Sequence, residues 1–372
     1  TPSSDADNPF WCASWTDYHN TLKTAPIFAM RSGAVEWLDE LATTGALRQL
    51  HTQIFQCAPD DPDFYCAMAP AGYGAYRSDF NSSHAYFDNL MLYYWLSGDY
   101  TVVETLKRGA ETMRGFLCPK RPNGNCSADE VNSDPWAEIT GRVASQWFAV
   151  FRFVGLASDD PSFLVDFRTG LSRAVTQHFV LARSGGEDYG FWTGAIVSGP
   201  GTYQTDQTWM ATLYDMNNLY RLMLDSDDAP IGEPPIAPSA VLIAWARTLR
   251  DFGSGTLGEN PVGDGTVDGT WPNILEFEWS GTRIGGTLVT ARHTVTASDP
   301  DSALYETGKA NLPALFLRAA LLSGDATLRA MGRDLALLAW QGSKAGLSSG
   351  IGLGKIQGLY LARLHAAIAL LE

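Results

Sequence analysis

Asn81-Ser82-Ser83-His84-Ala85-Tyr86, with Asp88 close behind, gathers in one short stretch the side chains that proton-transfer chemistry needs. A neutral imidazole or phenol can remove a proton next to a carboxylate. An amide or guanidinium must then neutralise that carboxylate so that the carbanion-like state comes within reach. His84 and Tyr86 are the proton-transfer candidates. On an ideal helix their side chains diverge by about 200°, so both reach one substrate only where the first turn is irregular; otherwise His84 is the one to keep. The alternative is packing: Asn81 or Ser82 caps a helix, and His84 and Tyr86 belong to the core.

Further along the chain, polar groups again stand at the entries of apolar segments. Arg142 and Gln146 open one, Tyr203, Asp206, Gln207 and Trp209 precede another, and Glu306, Lys309 and Asn311 precede a third. Asp206 also fits as an N-cap. A rival chemistry uses carboxylates. Asp88, Asp206, Glu276, Glu278 and Glu306 offer an acid and a base for glycoside hydrolysis, and Glu276 and Glu278 share one face of an expected strand. Trp136, Trp192, Trp209, Trp271 and Trp279 lie near loops or helix starts, where an indole can stack on a sugar or simply pack. Asp17 and His19 form a second polar and aromatic cluster. The glycines of 350–354 before Lys355 lack the spacing of a phosphate loop. No Cys/His set has zinc spacing, and neither a metal nor a cofactor is expected.

The elements that would hold these residues follow one plan. An apolar helix ends in a small polar turn and a more amphipathic helix follows. The turns fall at Thr44-Gly45, Ser97-Gly98-Asp99, Ser158-Asp159-Asp160, Asp225-Ser226-Asp227 and Ser323-Gly324-Asp325. First helices are expected over 83–96, 142–157, 209–224 and 311–322, with partners over 102–117, 163–182, 237–252 and 328–340 and a last helix over 356–371. A helix apolar on every side is buried. The predicted fold is therefore all-α: one domain spanning residues 1–372, an (α/α) toroid of five to six hairpins with its first helices inside. Parallel inner helices would gather their N-terminal ends, and the dipoles of those ends, at one cavity. The alternating pattern between Gly253 and Asp299 predicts a short β-hairpin or loop insertion around 264–298.

With 372 residues, 45% of them hydrophobic and 18% charged, the chain can bury a sizeable core. A formal net charge of −15 argues against nucleic acid as a partner. No apolar run reaches the ~20 residues that cross a bilayer as a helix, so no membrane insertion is expected. The start at Thr1 reads as a processed N-terminus. Cys57 with Cys66, and Cys118 with Cys126, bound short loops and are expected as disulfides, leaving Cys12 as a thiol. Both readings point to a secreted or periplasmic protein. The oligomeric state is left open.

The Asn81–Tyr86 stretch, with the aromatic segment that runs from it to Ser97-Gly98-Asp99, resembles the Asn-x-His-x-Tyr helix starts of toroidal polysaccharide lyases. The hairpin plan, with its Arg142…Gln146 helix, is similar to the helical domain of exo-rhamnogalacturonan lyases. That resemblance implies proton transfer by His84 and Tyr86, contact of Asn81 and Arg142 with a uronate carboxylate, and sugar binding by Asp206, Gln207 and Trp209. The function expected is thus a glycan lyase that cleaves a uronate-containing polysaccharide by β-elimination. A glycoside hydrolase and a non-catalytic glycan-binding protein remain the alternatives, since fold does not choose among them.

Overall fold

The computed structural model describes residues 87–117, 142–205, 216–253, 275–293 and 302–348, the short strands 54–56 and 65–67, and single positions near both ends. By its contacts the chain separates into two compact units. The first comprises Thr1–Glu138 and Arg142–Phe167, the second Ile139–Gly141 and Arg168–Glu372.

In the first unit β1 (Ile54–Gln56) and β2 (Tyr65–Ala67) form an antiparallel pair. Then come α1 (Asp88–Ser97), α2 (Thr101–Leu117), α3 (Arg142–Ala157) and the start of α4 (Ser162–His178). The turns from α1 to α2 and from α3 to α4 share one chemistry. After α1, the Ser97 hydroxyl donates back to Tyr93 O (2.8 Å) and accepts the Asp99 amide (3.1 Å). Asp99 Oδ1 then accepts the Thr101 amide that opens α2 (3.1 Å), a side-chain N-cap. Ser158 and Asp160 repeat this before α4. At Gly98 the backbone turns left-handed, with φ of 72°, which glycine adopts without a Cβ penalty.

The second unit contains the rest of α4, then β3 (Phe179–Ser184), β4 (Glu187–Trp192), β5 (Gly201–Gln204), α5 (Met216–Ser226), α6 (Pro238–Gly253), β6 (Leu275–Ser280), β7 (Ile284–His293), α7 (Ser302–Ser323) and α8 (Ala326–Ser348). Ser323, Gly324 and Asp325 join α7 to α8 by the same serine–aspartate turn. The five strands lie in the order β4-β3-β7-β6-β5; β3 and β7 are parallel and the other neighbours antiparallel.

That sheet overturns the predicted all-α toroid. Among the described residues the fold is mixed α/β, with eight helices and a five-stranded sheet. The expected helix over 163–182 stops at His178, and Phe179-Val180-Leu181-Ala182 continue as β3. The expected insertion at 264–298 supplies β6 and β7, and β7 is the middle strand.

The sheet curls strongly. Phe191 on β4 stacks on Phe277 of β6 at 4.1 Å between ring centroids and 13° between planes, although β3 and β7 lie between their strands. Just past β4 and β5, Thr193 bridges Thr205 and joins the two edge strands at one end. The result is a small barrel closed at that end. Its interior holds Val180, Ala182, Tyr189, Phe191, Leu275, Phe277, Trp279 and Ala291, all buried. Burying a large apolar side chain contributes about 1.5–3 kcal/mol, so this cluster is a main source of stability for the unit. Helix α6 packs on β4 and touches α5, α7 and α8. Its approach is close: a Cβ on Gly190 would sit 2.9 Å from the Trp245 backbone nitrogen and 2.7 Å from Phe179 Cζ. Arg283 binds the C-terminal end of α4, donating from Nη1 to Val175 O and Phe179 O, each at 2.6 Å. A cation is favoured at that end of a helix dipole, while burial pushes the proton affinity of this guanidinium down.

Candidate functional site

Three ring contacts fix the arrangement of the helices that carry the sequence-predicted residues in the first unit. At the starts of α1 and α3, Phe87 meets Trp147 edge-on at 5.8 Å. Towards their ends, Tyr94 and Trp95 meet Phe153 at 5.4 and 6.0 Å. The helices therefore lie side by side and parallel, and their N-terminal turns converge. The positive ends of two helix dipoles meet there.

Asp88 opens α1 and is half-buried. Asn89 follows it and is fully buried. On α3, Gln146 is 5% exposed, and neither its Oε1 nor its Nε2 has a hydrogen-bond partner among the described residues. Beside it Trp147 is fully buried. A primary amide carries two donor hydrogens and an accepting carbonyl. Leaving such a group buried and unsatisfied costs about 1–3 kcal/mol, a cost a ligand hydroxyl or carboxylate would remove. Arg142, the first residue of α3, lies one helical turn ahead of Gln146. Asp88, Arg142 and Gln146 are thus brought to one end of one helix pair.

The other predicted residues fare differently. Tyr203 lies on β5 in the second unit, with its ring 6.2 Å from Phe277. Its hydroxyl donates to Gly199 O at 2.8 Å and accepts from the Ser198 and Gly199 amides at 3.3 Å, so it staples the β4–β5 loop. Glu306 lies in the second turn of α7. Glu276 and Glu278 alternate with buried Leu275, Phe277 and Trp279 along β6, and so stand on the sheet face away from the barrel interior. Trp192 and Trp279 are each 2% exposed and serve packing rather than sugar stacking. Cys66 is on β2, opposite Phe55. Asn81, His84, Tyr86, Asp206, Gln207, Trp209, the Asp17 and His19 cluster, Trp136, Trp271, Cys12, Cys57, Cys118, Cys126 and the 350–355 loop lie outside the described residues.

One charged cluster in the second unit escaped the sequence reading. Arg250, at the end of α6, grips Asp251 through Nε and Nη2, each at 2.6 Å. Its Nη1 donates to Asp325 of the α7–α8 turn at 2.9 Å, and Nη2 also reaches Glu187 at the start of β4. The Tyr189 hydroxyl donates to Asp251 Oδ2 at 2.8 Å. Hydrogen bonding to Asp251 raises the proton affinity of Arg250. Burial, and then the bond to Asp251, push the Tyr189 phenol above its ordinary range, which makes it a poor base near neutral pH. With the carboxylates engaged by one guanidinium, the cluster acts as a clamp between α6, β4 and the α7–α8 turn. In sequence the only hint was Asp325, visible as a turn residue.

Among the described residues no group of His, Cys, Asp and Glu is placed to hold a metal ion. Comparison with protein families, with curated proteins and with solved structures finds no match for this chain.

Proposed function

We propose that this chain is a glycan-active enzyme, a lyase that cleaves a uronate-containing polysaccharide by β-elimination, with its sugar-binding groups at the converging entries of α1 and α3. The observation that carries the reading is Gln146, whose amide is buried at that entry without a partner among the described residues. A fold retains such a cost most readily where a polar ligand removes it. Arg142, one turn ahead on the same helix, supplies the cation that a uronate carboxylate requires. In this reading Gln146 holds a sugar oxygen and Arg142 draws charge from the carboxylate. His84 or Tyr86, just before α1 in the chain, removes the proton beside it.

The test is digestion of a panel of acidic and neutral polysaccharides, followed by ultraviolet absorbance and mass spectrometry. A lyase yields an unsaturated product lighter by one water than the hydrolytic product. New reducing ends without absorbance would make the protein a hydrolase, and binding without cleavage a lectin-like protein. The Gln146→Leu variant should fold at least as stably as the parent, because it removes an unpaired amide. Its substrate affinity should fall by ~10-fold or more. A variant that is much less stable than the parent would show that Gln146 is satisfied within the fold, and the site reading would fail.

A further inference from the structure

Helix α7 carries Pro313 in its interior. A proline there has no N–H to give to the carbonyl four residues back, and its ring crowds that carbonyl. In α7 the carbonyl is that of Lys309. Pro313 also disfavours helical backbone at the residue before it, Leu312. The hydrogen-bond ladder of the helix thus loses a rung between Lys309 and Pro313.

The two sides of that missing rung differ in what holds them. From Leu312 onward the helix is anchored. Leu312, Leu315, Phe316, Leu317, Ala319 and Ala320 are buried. Helix α8 comes so close that a Cβ on Gly332 would stand 2.8 Å from Leu317 Cγ and 3.1 Å from the Leu317 nitrogen. Arg318 lies over the Tyr220 ring at 4.0 Å and donates to Asn217 Oδ1 of α5 at 3.0 Å. At the far end, the Ser323 hydroxyl donates to Ala319 O and accepts the Asp325 amide. The stretch before the proline is composed against helix. Thr307, Gly308 and Asn311 all stand low in helix propensity, and glycine is surpassed in this only by proline. We propose that α7 is a hinged helix: residues 302–311 open and reclose about Pro313 as one body, while 314–323 stay packed. Glu306 and Lys309 lie on the opening part and move with it. Segments that open to admit or release a ligand are drawn from such weakly held parts of a fold. The hinge lies within the second unit and is independent of the function proposed above.

The test is native-state hydrogen exchange of the full chain, read by mass spectrometry on peptides from each half of α7. The amides of 306–311 should exchange together, ~100-fold faster than those of 314–323. Pro313→Ala restores the rung and should narrow that ratio by ~10-fold or more. Because Pro313 is buried, the variant also loses packing, so the ratio within one molecule is the readout rather than overall stability. Gly308→Ala leaves Pro313 in place and should narrow the ratio by about fivefold; it carries the test where Pro313→Ala does not fold. Equal protection of the two halves in the parent would overturn the proposal. So would a gradual rise in protection from Ser302 inward without a step at Pro313, which is ordinary fraying, or a ratio that neither variant changes.

Discussion

Replacing Arg250 by methionine removes the clamp while keeping most of the aliphatic bulk. Its side chain is 11% exposed; those of Asp251 and Asp325 are 12% and 16% exposed, and that of Glu187 39%. Breaking a buried ion pair by removing one partner costs about 3–5 kcal/mol, because the other charge is left uncompensated. Two features push the expected loss to the low end. Asp251 keeps the Tyr189 hydroxyl, and Asp325 keeps the Thr327 and Leu328 amides at 2.9 and 3.1 Å. Glu187 is exposed enough that its share is at most ~0.5 kcal/mol. Arg250→Met should therefore cost about 3 kcal/mol. The second unit, at roughly 200 residues, should then melt about 6–12 °C lower. Urea unfolding can be followed by the fluorescence of the buried Trp192, Trp245 and Trp279. Asp251→Asn and the double variant complete a cycle, and a coupling energy of ~1–3 kcal/mol between the two sites is expected. A loss below ~1 kcal/mol, or strict additivity in the cycle, would refute the clamp.

Gly190→Ala places a methyl group against the α6 backbone and the Phe179 ring; it should cost about 1–3 kcal/mol by overpacking, which the same unfolding assay reads. Tyr189→Phe removes a hydrogen bond to a charged group, worth about 1.5–3 kcal/mol at pH 7. Because the folded phenol titrates above its unfolded value of about 10, this contribution is whole below pH ~10. It is lost as pH rises towards the folded pKa, so parent and variant should converge in stability in strongly alkaline buffer. A gap that widens with pH instead would contradict the assigned hydrogen bond.

The hairpins were legible in the sequence because their signals are local. Ser97 with Asp99, Ser158 with Asp160 and Ser323 with Asp325 each bond to their own neighbours, so the residue types alone mark where one helix stops and the next starts. The barrel was not legible because its pairings are distant. Leu181 pairs with Ile284, and Thr205 accepts the Leu275 amide across a separation of 70 residues. Phe179-Val180-Leu181-Ala182 is buried on both faces, which erases the period-two pattern. With α4 directly before it, the run reads as more helix. The alternation of β6 was visible in Glu276 and Glu278, but nothing local shows that β6 and β7 belong between β3 and β5. Of the candidate site, the entry residues Asp88, Arg142 and Gln146 were legible as polar groups at helix starts. The clamp was not, because Arg250, Glu187 and Asp325 come from three separate segments.

The barrel's strand order also sets a timetable for the chain as it is made. β3, β4 and β5 leave the ribosome before the other two strands; β3 can pair with β4 at once, yet its second edge and the whole of β5 find their sheet neighbours only when β7 and β6 arrive, after α5 and α6. At about 5–20 residues per second, the stretch from β3 to the end of β7 takes roughly ten seconds to synthesise. Through that interval the β7-facing edge of β3, and β5 itself, stay unpaired with half of an aromatic interior in the open, the condition under which strands from different chains pair with each other. Slower initiation or a lower growth temperature, which spaces nascent chains and weakens hydrophobic association, should raise the soluble yield more for this protein than for one whose strands pair in order.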